Sequence, residues 1–234
     1  AELARRLVTR FERLSSNTAF RGSTADLIRA VAQQEIDESK NQKTGENIFT
    51  MVRKIGQAKA SLASDYAAQL VRSVGKVVFF AKHIDVMDQA EKAFAEQGIS
   101  YVSIRGDQST PARQQAIDAF NKDESVHVAV CSLTAAGVGV NLQASSNVVL
   151  AELSWTSAEQ TQAIDRVHRI GQEMPVTAWR IIAAQTLDSK IAELIDSKQG
   201  LAARALEGEA VDPTSQDSVQ LEALIDILSR ALNL

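Results

Sequence analysis

The stretch Lys76-Val77-Val78-Phe79-Phe80-Ala81 decides the fold of this chain. It places five apolar residues in a row, a pattern typical of a β-strand that is buried on both faces of a parallel sheet. Upstream of it, residues 1 to about 70 are polar, with apolar residues at the spacings of three and four that indicate helices. The pattern therefore changes from helical to strand-forming at Lys76.

Downstream of this stretch, strand and helix patterns alternate. Further strands are predicted over residues 100–104, 126–131, 148–150 and 176–183. Apolar residues recur at helical spacing from Val86 to Phe94, and Thr110-Pro111 begins another helix with an N-cap and a proline. Thr156 with Glu159 has the pattern of a capping box for the following helix. Alternation at these lengths predicts an α/β fold, a three-layer parallel sheet with helices on both faces.

The pattern divides the chain into three segments. Residues 1–70 are predicted to be a helical N-terminal extension, residues 71–208 the α/β lobe, and residues 209–234 a C-terminal helical tail. Within the extension, the polar stretch 37–45 predicts a mobile loop. The tail is predicted to be a helix with one apolar stripe, made of Leu221, Leu224, Ile225, Leu228 and Leu232.

Composition excludes several classes of protein. A formal net charge of −4 argues against a protein that coats nucleic acid by bulk charge, although a local basic groove stays possible. The single cysteine, Cys131, forms no intramolecular disulfide and is predicted to be buried and unreactive. Three widely spaced histidines argue against a zinc site, so no metal site is expected. No apolar run approaches the ~20 residues of a membrane span, and we expect an intracellular protein, cytoplasmic or nuclear.

A run of small residues follows the predicted strand 126–131. Ser132, Thr134, Gly137 and Gly139 lie where ligands gather in a parallel sheet, beyond the carboxyl ends of the strands. Glycines allow main-chain amides to approach a ligand closely, and hydroxyl groups bind phosphate. Tight packing of the turn explains the same residues equally well.

Two arginines end the helix that begins after Thr156. Arg166 and Arg169 are three residues apart, just before Gly171, so a helix would place both on one face. Guanidinium groups are permanently charged and match phosphate oxygens. A solvated helix face is the alternative interpretation. The nearby sequence offers no other phosphate-binding element, so the pair is predicted to complete a site that another protein segment supplies.

The order of these motifs resembles the last two signature motifs of the Swi/Snf family of ATP-dependent DNA translocases. The stretch Arg166-Val167-His168-Arg169-Ile170-Gly171-Gln172 is the most specific part, and the resemblance extends over about residues 49–208. It implies the C-terminal lobe of a motor built from two RecA-like lobes. The chain departs from the commonest pattern at Glu152 and Leu153, where an Asp is usual before Trp155. At these positions and around Thr134, the sequence is more similar to the annealing-helicase branch of the family.

The sequence lacks the motifs of a complete ATP site. A Gly-x-x-x-x-Gly-Lys-Ser/Thr stretch, which cradles phosphates, is absent, and the Asp-Glu pairs at 37–38 and 123–124 follow no apolar strand. The resemblance therefore implies that ATP and Mg²⁺ bind mainly to an N-terminal lobe, which acts as a partner of this one. The first residue is not Met, which suggests a fragment. We expect the fragment alone to be inactive as an ATP hydrolase.

The resemblance also implies roles for individual residues. Arg169 is the expected principal arginine finger, with Arg166 beside it and Gln162 orienting water or a phosphate oxygen. ATP would further contact Gly137, Gly139 and Asn141. Sequence-independent contacts to the DNA backbone are expected from Lys82, His83, Arg105, Gly106, Ser132 and Thr134. The alternative is a non-catalytic lobe that acts as a DNA- or protein-binding scaffold, and a strand-separating helicase stays open as well.

Overall fold

The computed structural model describes residues 2–16, 21–41, 47–134, 140–205 and 216–234. The chain forms two compact units. One contains residues 1–54 and 193–234, and the other contains residues 55–192. The three segments predicted from the sequence divide the chain differently and stay a prediction.

The described residues form eight helices and five strands. The helices are α1 (Glu2–Ser15), α2 (Thr24–Asn41), α3 (Ile48–Val74), α4 (Ile84–Glu96), α5 (Thr110–Lys122), α6 (Ser157–Ile164), α7 (Leu187–Ala205) and α8 (Gln216–Ala231). The strands are β1 (Val77–Ala81), β2 (Tyr101–Ile104), β3 (Val128–Ser132), β4 (Asn147–Leu150) and β5 (Thr177–Arg180). None of the described helices has the length and apolar content that crossing a membrane requires.

The five strands form one parallel sheet in the order β2-β3-β1-β4-β5. β1 occupies the centre, with Val77 opposite Val128 of β3 and Val78 opposite Val148 of β4. All five residues of β1 are buried, as expected for a strand with neighbours on both edges and helices on both faces. The predicted α/β fold with a RecA-like parallel sheet is confirmed.

Alternate residues of β1 enter two separate apolar cores. Phe79 packs with α3 and α4 on one face, where its ring meets that of Phe94 edge-on at a centroid distance of 5.6 Å. Phe80 points to the opposite face and packs with Phe120 of α5 and Ala163 of α6. Helices therefore cover both faces of the sheet, and the three-layer arrangement is confirmed.

The last strand is shorter than predicted. β5 ends at Arg180 and not at Ala183, and all four of its residues are exposed because it lies at an edge of the sheet. Beyond it, the main-chain amide of Ala183 donates to the Asp188 carboxylate (3.0 Å), so the chain leaves the ladder to begin α7.

Helix capping follows the prediction at one helix and differs by one residue at another. Thr156 accepts a hydrogen bond from the amide of Glu159 (3.3 Å) and caps α6 as expected. At α5 the cap is Ser109, whose hydroxyl accepts from the amide of Ala112, while Thr110 is already helical. The helix begins one residue earlier because Ser109 offers the same capping hydroxyl.

The unit formed by residues 1–54 and 193–234 contains α1, α2 and α8 packed together. Glu35 of α2 is buried and forms ion pairs with Arg6 and Arg10 of α1. The loop predicted over residues 37–45 is wrong in its first half, because α2 continues to Asn41; residues 42–46 lie outside the described residues. The tail contains a helix, α8. Of its predicted apolar stripe, Leu224 and Leu228 are buried, whereas Leu221, Ile225 and Leu232 are half-buried, so the predicted stripe is only partly correct. The buried residues of α8 are Val219, Gln220, Ala223, Leu224 and Leu228.

Candidate functional site

The helix that leads to the two arginines ends before it reaches them. α6 has eight residues and its C-cap is Asp165, so the prediction that Arg166 and Arg169 share a helix face is wrong. The chain tightens instead: the amides of Arg166 and Val167 donate to the carbonyls three residues earlier (3.2 and 2.9 Å). Val167 is fully buried in the core beside Phe80, and this anchors the turn that follows the helix.

The arginine-bearing turn is fixed to the loop after residue 140. The amide of Leu142 donates to the carbonyl of Arg166 (2.9 Å), and the Gln172 side-chain amide donates to the carbonyls of Gln143 (3.1 Å) and Ser145 (2.8 Å). Gly171 has a φ of +101°, which a residue with a side chain rarely adopts. Two chain segments far apart in sequence are thereby held together around the arginines.

An open cavity of about 650 Å³ lies between these segments. It is lined by Asn141, Gln162, Asp165, Arg166, His168, Arg169 and Ile170. The structure thus brings together all three predicted catalytic residues and one predicted ATP ligand. Gly137 and Gly139, the other predicted ATP ligands, fall within residues 135–139, which lie outside the described residues.

Within the part of the chain that the structure describes, the guanidinium groups in this cavity form no ion pair. Among the described residues, neither Arg166 nor Arg169 forms a side-chain hydrogen bond or an ion pair, and the Nε of Arg166 is buried without a partner. Arg169 is exposed and Arg166 is half-buried. Because a buried donor without a partner costs free energy, an anion that accepts from Arg166 would be favoured here.

A second polar cluster forms where β1 and β4 end. Glu152 follows β4 and is only 2% exposed. Its Oε2 accepts from the main-chain amides of Lys82 (2.8 Å) and His83 (2.9 Å), and its Oε1 lies 2.7 Å from Nδ1 of His83. Burial lowers the pKa of Lys82, while the charges of Glu159 and Glu152 oppose that shift. The structure therefore holds two of the six predicted DNA ligands, Lys82 through its main-chain amide and His83 through its amide and imidazole, against one buried carboxylate.

The predicted DNA ligand at the end of β2 is already paired. Arg105 forms ion pairs with Asp88 (2.7 Å) and Glu91 (2.6 Å) of α4 and donates from Nε to the Ser103 hydroxyl (2.8 Å). Burial opposes a rise in the pKa of Arg105, but the hydrogen bonds to Glu91 and Asp88 outweigh it and raise the pKa. A DNA phosphate would have to compete with two carboxylates for this guanidinium.

The neighbouring predicted ligand, Gly106, is held by Arg113. The Nη2 of Arg113 donates to the carbonyls of Gly106 (3.2 Å) and Gln108 (3.2 Å). The turn after β2 is therefore fixed by main-chain contacts with α5.

At the end of β3, the two predicted hydroxyl ligands bond to each other. The Oγ of Ser132 lies 2.9 Å from Oγ1 of Thr134, with Ser132 buried and Thr134 exposed. Cys131 is buried, as predicted, and burial raises the pKa of its thiol. A raised pKa keeps the thiol protonated, which makes it a poor nucleophile.

Two buried interactions were not anticipated from the sequence. Gly56 lies in α3 against the Glu152 carboxyl group, and an added Cβ would lie 2.8 Å from Cδ of Glu152. Lys59, one turn later, forms a buried ion pair with Asp188 and donates to the carbonyl of Ile181 (2.6 Å). Two features of the sequence could have indicated the first interaction. Gly56 interrupts a helical pattern, which a glycine does at a cost in stability unless packing requires it. Glu152 follows an apolar strand, where a buried carboxylate needs hydrogen-bond donors.

Comparison with known proteins shows what the part of the chain around the cavity is similar to. Residues 58–171 match the helicase conserved C-terminal domain. This part of the chain, just under half of its length, is similar to that domain. The protein named SWI/SNF-related matrix-associated actin-dependent regulator of chromatin subfamily A-like protein 1 of Drosophila melanogaster is 31% identical over 71% of this chain and 22% of that protein. The DNA annealing helicase and endonuclease ZRANB3 of Mus musculus is 34% identical over 73% of this chain and 16% of that protein.

A solved structure has the same α/β fold. The crystal structure of the C-terminal part of the Fun30 ATPase domain aligns with a TM-score of 0.60 at 18% identity, covering 98% of this chain and 74% of that one. The resemblance to the Swi/Snf family is confirmed. Identities of 31% and 34% do not separate branches, so the annealing-helicase branch stays a prediction. The chain spans between 12% and 22% of the length of the curated relatives it matches.

Proposed function

We propose that this helicase C-terminal domain is one lobe of a Swi/Snf-type DNA-dependent ATPase and translocase. In this proposal it acts on ATP bound mainly by an N-terminal lobe of the same parent protein. The observation that supports this most strongly is the cavity in which Gln162, Arg166 and Arg169 meet, with both guanidinium groups unpaired among the described residues.

The chemistry required of such a lobe is electrostatic. Phosphoryl transfer develops charge on the equatorial oxygens of the γ-phosphate, and arginine fingers stabilise that charge in the transition state. Arg169 is exposed and free to reach an ATP molecule presented from outside, while Arg166 supports it from the cavity wall. Gln162 lines the same cavity and offers an amide to orient the attacking water or a phosphate oxygen.

Magnesium would be held mainly by the other lobe in this proposal. Within the described residues, no group of three His, Cys, Asp or Glu side chains could hold a metal ion. When bound there, Mg²⁺ would supply positive charge that neutralises charge developing on the phosphate oxygens. In this proposal, the described part of this lobe contributes the guanidinium groups of Arg166 and Arg169 and the side-chain amide of Gln162.

Binding of duplex DNA is proposed for the ends of β1, β2 and β3. Lys82 and His83 follow β1 directly, Ser132 is the last residue of β3, and Thr134 lies two residues beyond it. These side chains suit contacts with backbone phosphates, which position a protein without reading sequence. Arg105 is a weaker candidate than Lys82, because its guanidinium is paired with two carboxylates.

The test is Arg169→Ala in a protein that joins this chain to its N-terminal lobe. ATP turnover is expected to fall by about 10³–10⁵-fold, the range measured for arginine fingers. ATP affinity, measured by titration without turnover, should change little, because the finger acts on charge that develops in the transition state. Arg72→Ala, an exposed arginine of α3, is the matched control and should retain turnover.

Two results would contradict this assignment. Equal losses of ATP affinity and turnover would mean that Arg169 binds the ground state. Undiminished turnover in Arg169→Ala would favour the scaffold alternative. The 234-residue chain alone is expected to hydrolyse no ATP above background. Steady turnover by the isolated chain would contradict a composite active site.

A further inference from the structure

The main chain at Lys82 and His83 is fixed by a carboxylate from another part of the sheet. Both residues lie between β1 and α4, and His83 is the N-cap of α4 without forming a side-chain cap. Main-chain amides that are shielded from water need acceptors, and just before α4 the Oε2 of Glu152 accepts from the amides of Lys82 and His83. The imidazole of His83 contacts the other oxygen of the same carboxylate.

The burial of Glu152 requires a glycine opposite it. Gly56 leaves space in α3 for the carboxyl group, and an added Cβ would lie 2.8 Å from its Cδ and 3.1 Å from its Cγ. Alanine favours a helix more than glycine does, so a glycine here has a packing reason rather than a helical one. Gly56 and Glu152 act as one unit that sets the position of the carboxylate.

We propose that Glu152, given room by Gly56, is the positioning residue that holds Lys82 and His83 in place for a DNA phosphate. This inference rests on the proposed function, because it presupposes that the end of β1 contacts DNA. Glu152 itself is buried beneath the turn and touches no phosphate; it acts through two main-chain amides and one imidazole. Without it, the turn loses its acceptor and Lys82 and His83 lose their common orientation.

The experiment measures binding of the chain to a fluorescein-labelled 20-base-pair duplex of mixed sequence by anisotropy at several KCl concentrations. Glu152→Gln keeps the shape of the side chain and removes the charge. We expect a loss of affinity of about tenfold, the size of one lost hydrogen bond to a charged group. The slope of log K against log [KCl] should become shallower by about one for each phosphate that the variant no longer binds. A residue that only stabilised the fold would leave this slope unchanged in the folded protein.

Gly56→Ala provides an independent route to the same carboxylate. It leaves Glu152 in the sequence but displaces its carboxyl group, so it should weaken DNA binding to a similar extent. Because both changes act on one interaction, the double variant Gly56→Ala/Glu152→Gln should bind DNA no more weakly than the weaker-binding single variant. The matched control is Glu96→Gln, which removes an exposed carboxylate paired with Lys92 and should bind like the unchanged chain.

The outcomes separate this inference from the function on which it rests. If the unchanged chain binds no duplex at any salt concentration, the proposed DNA contact is wrong. If it binds and both folded variants keep its affinity and salt slope, DNA binding stands and the role of Glu152 is wrong. If neither variant folds, the unchanged chain is titrated with duplex and followed by NMR. The amide signals of Lys82 and His83 should then shift. Unshifted signals at saturating duplex would overturn the inference.

Discussion

Two pairs of charged residues in this domain have opposite character. Lys59 and Asp188 carry opposite charges, are almost fully buried and contact each other directly. Arg166 and Arg169 carry like charges, line an open cavity and have no counterion among the described residues. The charges of the first pair neutralise each other within the fold. The charges of the second pair can instead bind an anionic ligand. The difference distinguishes a stabilising pair from a candidate binding pair without reference to any relative.

Breaking the buried pair should have the largest effect on stability. Lys59→Met leaves the Asp188 carboxylate buried without its cation, and we expect a loss of about 3–5 kcal/mol in the free energy of unfolding. Urea denaturation of the chain measures this loss. Lys59→Met combined with Asp188→Leu should recover much of it, because removing both charges avoids the unpaired one. A loss below about 1 kcal/mol in the single variant would contradict a stabilising role.

A lysine near the first strand should give an intermediate effect. The Nζ of Lys76 donates to the carbonyls of Phe120, Asp123 and Val126, each at 2.7 Å, and so satisfies the end of α5. Lys76→Met should lower the free energy of unfolding by about 1.5–3 kcal/mol, the range for hydrogen bonds to a charged group. Lys122→Met, which removes a surface pair with Asp118, is the control and should cost at most about 0.5 kcal/mol. Equal losses in the two variants would show that the carbonyl contacts add nothing.

The cavity arginines should have the smallest effect on stability. Arg166→Ala and Arg169→Ala are each expected to change the free energy of unfolding by less than about 0.5 kcal/mol, because neither guanidinium has a partner to lose among the described residues. The same urea titration measures this change. A loss above about 1.5 kcal/mol would place Arg166 among the structural residues and remove the contrast between the two pairs.

Much of the fold could be predicted from local patterns. The apolar stretch before α4 predicted β1, and the capping pattern at Thr156 predicted the start of α6. The order of the strands could not be predicted, since pairing depends on contacts between residues far apart in sequence. β1 pairs with β3 and β4 and not with β2, the next strand along the chain.

Four of the seven residues that line the cavity had been predicted as site residues, but their geometry had not. Arg166, Arg169 and Gln162 line one cavity, although α6 ends at Ile164. Helical spacing alone suggested that the helix would continue to Gly171. Burial of Val167 and the bond from Leu142 to the Arg166 carbonyl fix a tighter turn, and both depend on tertiary contacts. The carboxylate at Glu152 was noted as a departure from the family pattern, but its contacts with His83 and Gly56 required coordinates.

The burial of Cys131 makes the chain suited to distance measurements. It is the sole cysteine, and its thiol is both shielded from solvent and kept protonated by a raised pKa. Maleimide dyes react with exposed thiolates, so they should leave the folded chain unlabelled. A cysteine introduced at Leu62, whose side chain is 69% exposed, would then be the single reactive thiol. In the proposed two-lobe protein, one such dye on this lobe and another on the N-terminal lobe would report on whether ATP brings the two lobes together.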